Sequence, residues 1–341
     1  MTGWLDGLRE DPLPWLLDRD APAVRHLALR QLMDLPVDDA EVVGARAAAM
    51  SADPIAAILA AQDPEGWWIR PGPGYGPKYT GTVWQLIFLG QMGADGGDPR
   101  VARACEYVLS HTQAVNGGFG VSAVRGSAKP PPSTVVHCLN GNLLRALIGF
   151  GRLDDPRVGR AIDWQVASIT GEGFTFHRSG VPGPGFCCSA NEGLPCAWGA
   201  VKVVLGLAAI PAERRSETVR RALDTGVRLL LSCDPSTAAY PMGWGNTKPN
   251  GSWFRLGFPS GYVADVLQVM EAVCEAGSGA DDRLLPAVAW LLAQQDERGR
   301  WRNRYAYQGK LVADVDVPGD PSRWVTLRAC HVLRRVAEAR G

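Results

Sequence analysis

The sequence predicts an all-α protein, built as a closed barrel of inner and outer helices. A unit of about sixty residues recurs along the 341 residues, and each unit contains two helical segments that differ consistently in polarity. No stretch of alternating apolar and polar residues is long enough to predict a sheet. We therefore expect a single domain over residues 1–341, with residues 1–20 as an N-terminal extension.

The first helical segment of each unit is apolar on nearly all sides. Residues 80–94 carry no charge, and residues 196–210 carry only Lys202. A helix that is apolar all round is buried on both sides, so these segments are predicted to form the inner ring. Their starts are expected near Pro22, Thr80, Thr134, Pro195, Pro259 and Ser322.

The second segment of each unit has one apolar stripe and one charged face, which is typical of an outer helix. These segments begin with Asp or Ser, in most cases followed by Pro, as helix N-termini prefer. A further segment, residues 39–50, is separated from its successor by Ser-Ala-Asp-Pro. The remaining outer helices are expected to start near Asp53, Asp98, Asp155, Ser216 and Asp281.

The connections between the two rings are unequal in length. Inner-to-outer connections are short, whereas the outer-to-inner connections span residues 62–79, 113–133, 170–194, 233–257 and 295–321. Long loops in a compact domain are usually functional. All of them lie at the rim where the inner helices begin, so the sequence predicts the functional site at this rim.

Three outer helices end in the pattern Q-x-x-x-G-x-aromatic, starting at Gln62, Gln113 and Gln295, and a degenerate copy ends at Phe174. The pattern resembles the repeat motif of the squalene–hopene cyclase and prenyltransferase β-subunit superfamily. Residues 138–158, 196–216 and 323–336 look closest to single-barrel bacterial prenyltransferase/squalene-oxidase repeat proteins. The resemblance implies an (α/α)6 toroid with a central apolar cavity, in which the motif residues are structural.

Class II cyclases of that superfamily use a D-x-D-D acid, which this sequence lacks, so other carboxylates are the candidates for catalysis. Asp265 is predicted about two turns into an otherwise apolar inner helix, where burial would raise its pKa and suit a general acid. A salt bridge to Arg328 or Lys202 is the alternative. Asp314 and Asp316, in the last rim loop, could donate a proton or hold Mg²⁺, or be solvated.

Cysteine residues form a candidate zinc site. Cys138 and Cys196 open neighbouring inner helices, and Cys187 and Cys188 lie in the loop that precedes Cys196. Soft thiolates suit tetrahedral zinc, so we predict Cys138, Cys188 and Cys196 as ligands, with the choice of Cys188 over Cys187 arbitrary. Small buried thiols are the alternative. A fourth ligand could be His137, His177, Glu192 or water.

The rim is also predicted to bind the two ends of an amphiphilic substrate. Basic residues there suit an anionic head group such as diphosphate, and aromatic residues near the inner-helix starts suit an apolar tail or a cation. The basic residues are Lys78, Lys129, Arg178, Lys248, Arg255, Arg304, Lys310 and Arg323. The predicted substrate-binding residues are Trp84, His137, Trp198, Tyr262, Trp324 and Arg255.

Composition excludes several functional classes. Lys plus Arg and Asp plus Glu both total 35, so the basic excess of a nucleic-acid binder is missing. No apolar run reaches the ~20 residues of a membrane span, and the first twenty residues do not resemble a signal peptide, so we expect a cytoplasmic protein. The predicted function is a terpene-cyclase-like or prenyltransferase-like enzyme acting on an isoprenoid-type small molecule, with zinc as a candidate cofactor and Mg²⁺ less favoured. The alternative is a non-catalytic ligand- or protein-binding toroid with structural zinc.

Overall fold

A computed structural model describes residues 3–123, 129–174 and 183–341 and shows an all-α architecture. Within these ranges there is no strand, and β-structure is confined to isolated bridges in loops. The helices are α1 (Leu13–Leu16), α2 (Pro22–Gln31), α3 (Ala40–Met50), α4 (Ile55–Ala60), α5 (Thr82–Gln91), α6 (Pro99–His111), α7 (His137–Gly149), α8 (Pro156–Thr170), α9 (Ala197–Ala208), α10 (Glu217–Leu230), α11 (Val266–Glu275), α12 (Leu285–Ala293) and α13 (Arg323–Arg340).

The inner ring consists of α2, α5, α7, α9, α11 and α13, and its neighbours touch in that order. Gly90 of α5 packs against Ala146 of α7, where an added Cβ would lie 3.1 Å away. Gly141 of α7 lies against the backbone of Lys202 in α9, and the Lys202 Nζ donates a hydrogen bond to Gln268 of α11. Close glycine contacts thus hold the first half of the ring together.

Polar contacts complete the ring. Arg328 of α13 donates to Glu271 of α11 at 2.7 Å, and Arg334 of α13 donates to the Gln31 carbonyl of α2 at 3.0 Å. At Gly93, just beyond α5, an added Cβ would meet a side chain of α2 at 2.8 Å. The inner helices therefore form a closed ring, each pairs with an outer element, and the predicted all-α toroid is confirmed.

The repeat motif links successive outer helices. Gln62, which follows α4, donates to the Arg100 carbonyl of α6 at 3.0 Å, and Gln113, which follows α6, donates to the Arg157 carbonyl of α8 at 2.7 Å. The motif indole of Trp68 is fully buried and donates to a carbonyl ten residues earlier. These contacts give the motif the structural role that the resemblance implies.

The N-terminal segment closes the outer ring. Gln295, which follows α12, donates to the Gly7 carbonyl at 3.3 Å and accepts from the Arg9 backbone N–H at 3.2 Å. A Cβ on Gly299 would lie 2.4 Å from the Glu10 carbonyl oxygen, which shows how closely the two segments approach. Residues 7–10 thus take the place of a next outer helix, so the predicted N-terminal extension is an integral part of the ring.

A further copy of the motif, not predicted from the sequence, follows α10. The Tyr240 hydroxyl donates to the Leu230 carbonyl at 2.9 Å, ten residues earlier, as the motif tryptophans do. Asp234 and Ala238 stand at the positions of the motif Gln and Gly, and Ala238 has a positive φ of 48°. The copy was missed because its spelling, D-x-x-x-A-x-Y, keeps the spacing but not the residue types.

The predicted inner-helix start near Pro259 is wrong, because α11 begins at Val266. The residues before α11 instead reach across the ring to α5, which lies opposite α11 in the ring order. Ser260 exchanges two hydrogen bonds of 2.8 Å with Gln91 of α5, and Asn142 of α7 donates to the Gly261 carbonyl at 3.1 Å. This crossing segment fills the centre of the ring.

Candidate functional site

The central lumen of the ring is small and polar. Its cavity has a volume of about 130 Å³, below the roughly 300–1,000 Å³ of ordinary small-molecule pockets. Trp324 lines it while stacking on Phe258 with the ring centroids 4.5 Å apart. In the part of the chain that the structure describes, the ring axis therefore holds no large apolar cavity of the kind that the resemblance implied. The polar residues of the lumen include Gln91, Asn142, Arg145, Glu271, Arg328 and His331.

An aromatic cluster fills the rim end of the axis. The Tyr79 ring centroid lies 4.1 Å from that of Tyr307 and 5.2 Å from that of Trp84, and Tyr262 is within 6.4 Å of both Tyr79 and Trp84. The Trp84 indole donates to the Tyr75 carbonyl at 2.8 Å. Trp84, which was predicted to bind substrate, is therefore a buried member of this cluster.

A larger cavity, here called the rim pocket, lies off the axis over the first turns of α7 and α9. Its volume is about 550 Å³, and residues 240–253 cover one side. Trp198 lies 6.2 Å from Trp253 and 6.3 Å from Tyr262 between ring centroids, and Tyr240 lies 5.1 Å from Trp253. Trp198 and Tyr262, which were predicted to bind substrate, line this pocket. Tyr240 and Trp244 also line it but were not predicted, and only the degenerate motif copy could have indicated Tyr240.

Glycine contacts between α7 and α9 position the floor of the rim pocket. A Cβ on Gly141 would lie 2.3 Å from the carbonyl of Lys202, and one on Gly199 would lie 3.2 Å from the Cβ of His137. Only glycine permits such close approach of two backbones. The crossing brings Cys138, the second residue of α7, to the same wall as Cys196, the N-cap of α9.

The three cysteines that were predicted as zinc ligands all border this wall. Cys138, Cys188 and Cys196 line the rim pocket, whereas Cys187 does not. A hydrogen bond from the Cys196 thiol lowers the pKa of Cys188 to about 6, and the same hydrogen bond, together with burial, raises the pKa of Cys196. Burial raises the pKa of Cys138 to about 11.

His137 lines the same pocket but has both ring nitrogens engaged. Its Nδ1 accepts from the Gln165 amide at 2.9 Å, which assigns the ring proton to Nε2, 3.4 Å from the Gly183 carbonyl. Burial lowers the pKa of His137 to about 4, so the ring is neutral at physiological pH. His137 therefore forms a fixed part of the wall.

The described residues do not provide a complete zinc site. The Glu192 carboxylate accepts from the backbone N–H of Trp244 at 2.6 Å, and His177 lies outside the described residues. In residues 3–123, 129–174 and 183–341, no group of three or more His, Cys, Asp or Glu is arranged to hold a metal ion. Zinc and Mg²⁺ therefore stay predictions.

Asp265 lies at a different position from the one predicted. It is the N-cap of α11 rather than a residue two turns inside a helix, and its carboxylate accepts from the backbone N–H groups of Gln268 at 2.8 Å and Gly257 at 3.0 Å. Arg328 lies 3.9 Å away. Burial raises the pKa of Asp265 and the Arg328 charge opposes the rise. The neighbouring void holds only about 10 Å³, and Asp265 lines neither the lumen nor the rim pocket.

The other two predicted acids also lie outside the rim pocket and the lumen. Asp316 accepts from the Asn303 amide at 3.2 Å and from the Ser322 hydroxyl, and burial raises its pKa. Asp314 is exposed and accepts from the backbone N–H of Gly309 at 3.1 Å. Both carboxylates have hydrogen bonds within the last rim loop.

Two of the predicted rim cations lie at or beside the rim pocket. Lys248 lines it, and the Lys78 ammonium lies 4.8 Å from the ring centroid of Tyr262. The Arg255 guanidinium is 5.3 Å from the Tyr305 ring centroid, beside the small void at Asp265, so this predicted substrate contact is not part of the pocket. Arg178 lies outside the described residues.

Comparisons with known proteins yield structural similarities. No protein-family model and no curated protein matches the sequence. A variant of the type II terpene cyclase MstE from Scytonema, solved with merosterolic acid A as product, is 16% identical with a TM-score of 0.35, and 84% of this chain and 95% of that chain are covered. Another variant, solved with geranylgeranyl dihydroxybenzoate as substrate, is 12% identical with a TM-score of 0.31 and the same coverage. A protein from Actinoplanes is 15% identical with a TM-score of 0.32, over 83% of this chain and 97% of that one.

Among the described helices, none combines the length and apolar character that a membrane span requires.

Proposed function

We propose that the protein is a terpene-cyclase-like or prenyltransferase-like enzyme whose amphiphilic, isoprenoid-type substrate binds in the rim pocket. The observation that carries this proposal is an aromatic-walled cavity of about 550 Å³ at the N-termini of two inner helices. The volume lies within the roughly 300–1,000 Å³ of small-molecule pockets.

The apolar part of the substrate would contact the aromatic wall. Trp198, Trp253 and Tyr262 present ring surfaces to the cavity, and the electron-rich face of such rings stabilises positive charge on carbon as it does on nitrogen.

The head group would lie at the positively charged end of the cavity. Lys248 lines the pocket, and α7 and α9 begin at its floor with the partial positive charge of their N-termini. Both the lysine and the helix N-termini would attract an anionic head group such as diphosphate.

The lining of the pocket favours one way to start the reaction. In the part of the chain that the structure describes, no Asp or Glu lines the rim pocket, so no carboxylic acid is placed there to protonate an alkene. Departure of a diphosphate breaks the allylic C–O bond, and the leaving group takes the electron pair. The resulting allylic cation faces the aromatic wall and is consumed by ring closure with proton loss or by transfer to an acceptor.

The proposal is tested with farnesyl diphosphate and the full-length protein, by tryptophan fluorescence for binding and by product analysis for turnover. Trp198→Ala is expected to weaken binding about tenfold or more, because it removes a large aromatic contact. Trp324→Phe, in the lumen, is the matched control and should keep wild-type affinity.

Two results would contradict the proposal. Equal affinity in wild type and Trp198→Ala would place the ligand elsewhere. If farnesyl or geranylgeranyl diphosphate binds tightly at the rim pocket but gives no product, the protein is a non-catalytic binding toroid.

A further inference from the structure

Two loops meet at the edge of the rim pocket. They are residues 189–193, which precede α9, and residues 241–246, which follow α10, and both contribute to the lining of the cavity. The Asn191 side-chain amide donates to the Pro241 carbonyl at 3.1 Å, and its oxygen accepts from the Gly243 backbone N–H at 3.0 Å. The two loops are therefore tied to each other beside the opening of the pocket.

Trp244 lies at this junction, between the cavity and the solvent. Its side chain lines the rim pocket and is also 69% exposed, so one part of it borders the cavity and another part borders bulk water. Its φ is 64°, in the left-handed region that bulky residues rarely adopt. Backbone strain of this kind is found at ligand clamps, where the surrounding contacts maintain it.

Glu192 provides a strong contact that fixes Trp244 in this position. Its carboxylate accepts from the backbone N–H of Trp244 at 2.6 Å, and a charged acceptor makes such a hydrogen bond stronger than a neutral one. The indole N–H of Trp244 reaches the Ala190 carbonyl only at 3.5 Å. Glu192 is itself exposed and does not line the pocket, so it acts on a ligand through the residue that it holds.

We infer that Glu192 is a positioning residue, which holds Trp244 as a cover over the rim pocket. The cover slows the escape of a bound ligand and keeps water from its apolar part. The inference deepens the proposed function and rests on it, because a cover matters most where a carbocation has to be protected from water.

The first experiment measures the cover without any reaction. The probe is 8-anilinonaphthalene-1-sulfonate, since its aromatic body and anionic group suit the same cavity as the proposed substrate. Its release from the full-length protein is followed by stopped-flow fluorescence. Trp198→Ala should weaken its binding, which assigns the probe to the rim pocket.

Glu192→Ala is expected to release the sulfonate about tenfold faster than wild type, because Trp244 is no longer fixed over the cavity. Glu192→Gln keeps an acceptor oxygen for the Trp244 N–H and should stay close to wild type. Glu213→Ala, which removes an exposed carboxylate between α9 and α10, is the matched control and should not change the rate.

A double variant tests whether Glu192 acts through Trp244. Trp244→Ala should release the sulfonate as fast as Glu192→Ala does. Combining the two changes should give no further increase, because the carboxylate then has no cover to hold.

The second experiment measures the exclusion of water with farnesyl diphosphate. Water that reaches the allylic cation adds to it, a C–O bond forms and a proton leaves, which gives farnesol or nerolidol. The share of these alcohols among the products should rise several-fold in Glu192→Ala and stay at the wild-type level in Glu192→Gln. A lower stability alone would reduce the total product but would not change this share.

Three results would overturn the inference. They are equal release of the sulfonate from wild type and Glu192→Ala, faster release from the double variant than from Trp244→Ala, and an unchanged share of alcohols in Glu192→Ala.

The failure of the proposed function gives a different result. If Glu192→Ala releases the sulfonate faster but farnesyl diphosphate neither binds nor reacts, the cover is confirmed and the isoprenoid function is wrong. Sulfonate binding that Trp198→Ala leaves unchanged would place the ligand outside the rim pocket and contradict both proposals.

Discussion

The lumen and the rim pocket lie within the same ring but differ in how their polar groups are satisfied. In the lumen, Arg328 and Glu271 pair at 2.7 Å and only about 130 Å³ is empty. In the rim pocket, about 550 Å³ is empty, and Lys248, Cys188 and Trp198 border that space. Polar groups paired within the chain stabilise the fold, whereas groups that border a cavity are available to a ligand.

The largest expected effect on stability comes from removing a buried charge in the lumen. Arg328→Met leaves Glu271 and Asp265 buried without their cation, and it also removes the donor to the Gly257 carbonyl at 2.7 Å. Breaking a buried pair in this way costs about 3–5 kcal/mol of the free energy of unfolding, measured by urea titration. The folded fraction should still bind farnesyl diphosphate with wild-type affinity.

The double variant Arg328→Met with Glu271→Gln serves as the control. It also removes the Glu271 charge, which would otherwise be buried without a partner, so it should recover part of the lost stability. A loss below about 1 kcal/mol in the single variant would mean that the lumen pair behaves like an exposed one.

A second variant changes the contact between α7 and α9, which forms the floor of the rim pocket. Gly141→Ala places a methyl group 2.3 Å from the Lys202 carbonyl, so α7 and α9 must move apart. Overpacking of this kind costs about 1–3 kcal/mol of unfolding free energy, and we expect weaker farnesyl diphosphate binding in the same variant. Gly149→Ala, at the other end of α7, meets no atom within 4 Å and is the matched control. Equal unfolding free energies for the two variants would contradict the tight crossing.

The smallest expected effect is a pH dependence of the unfolding free energy, which comes from Lys202 of α9. Burial lowers the pKa of Lys202 to about 7, whereas the unfolded chain keeps the ordinary value near 10.4. Between pH 7 and 9 the unfolded state therefore binds more protons, so the free energy of unfolding should rise with pH, by at most about 1.4 kcal/mol per pH unit.

Lys202→Met should reduce this slope, and urea titrations at pH 7, 8 and 9 measure it; the lowered pKa of Cys188 adds a contribution of the same sign that the variant keeps. A wild-type slope that persists in the variant would assign the effect to another group.

The sequence predicted the fold well because helical pattern and repeat are local signals. Inner and outer helices were recognised from polarity, and the grouping of Cys138 with Cys196 followed from the order of the helices. The start of α11 was misplaced because residues 258–265 are as apolar as a buried helix, although they form a loop that crosses the ring. A buried helix and a buried loop both need apolar residues, so composition alone does not distinguish them.

The candidate site was only partly predictable, because its cavity depends on how loops pack. Trp84 and Trp198 occupy similar positions near the starts of their helices, yet one is enclosed by Tyr79 and Tyr75 and the other lines the rim pocket. Which of the two remains accessible depends on loop side chains distant in sequence. For Asp265, the pattern indicated burial but could not show that Gln268 and Gly257 occupy its oxygens.

The contact of Gln295 with residues 7–10 has a consequence for biosynthesis. A ribosome makes residues 7–10 nearly three hundred residues before the glutamine that holds them, so during translation the growing chain is an open arc with one uncovered edge. Closure has to await the emergence of α12. Until α12 and α13 have emerged, the uncovered edge of the arc stays exposed to other chains.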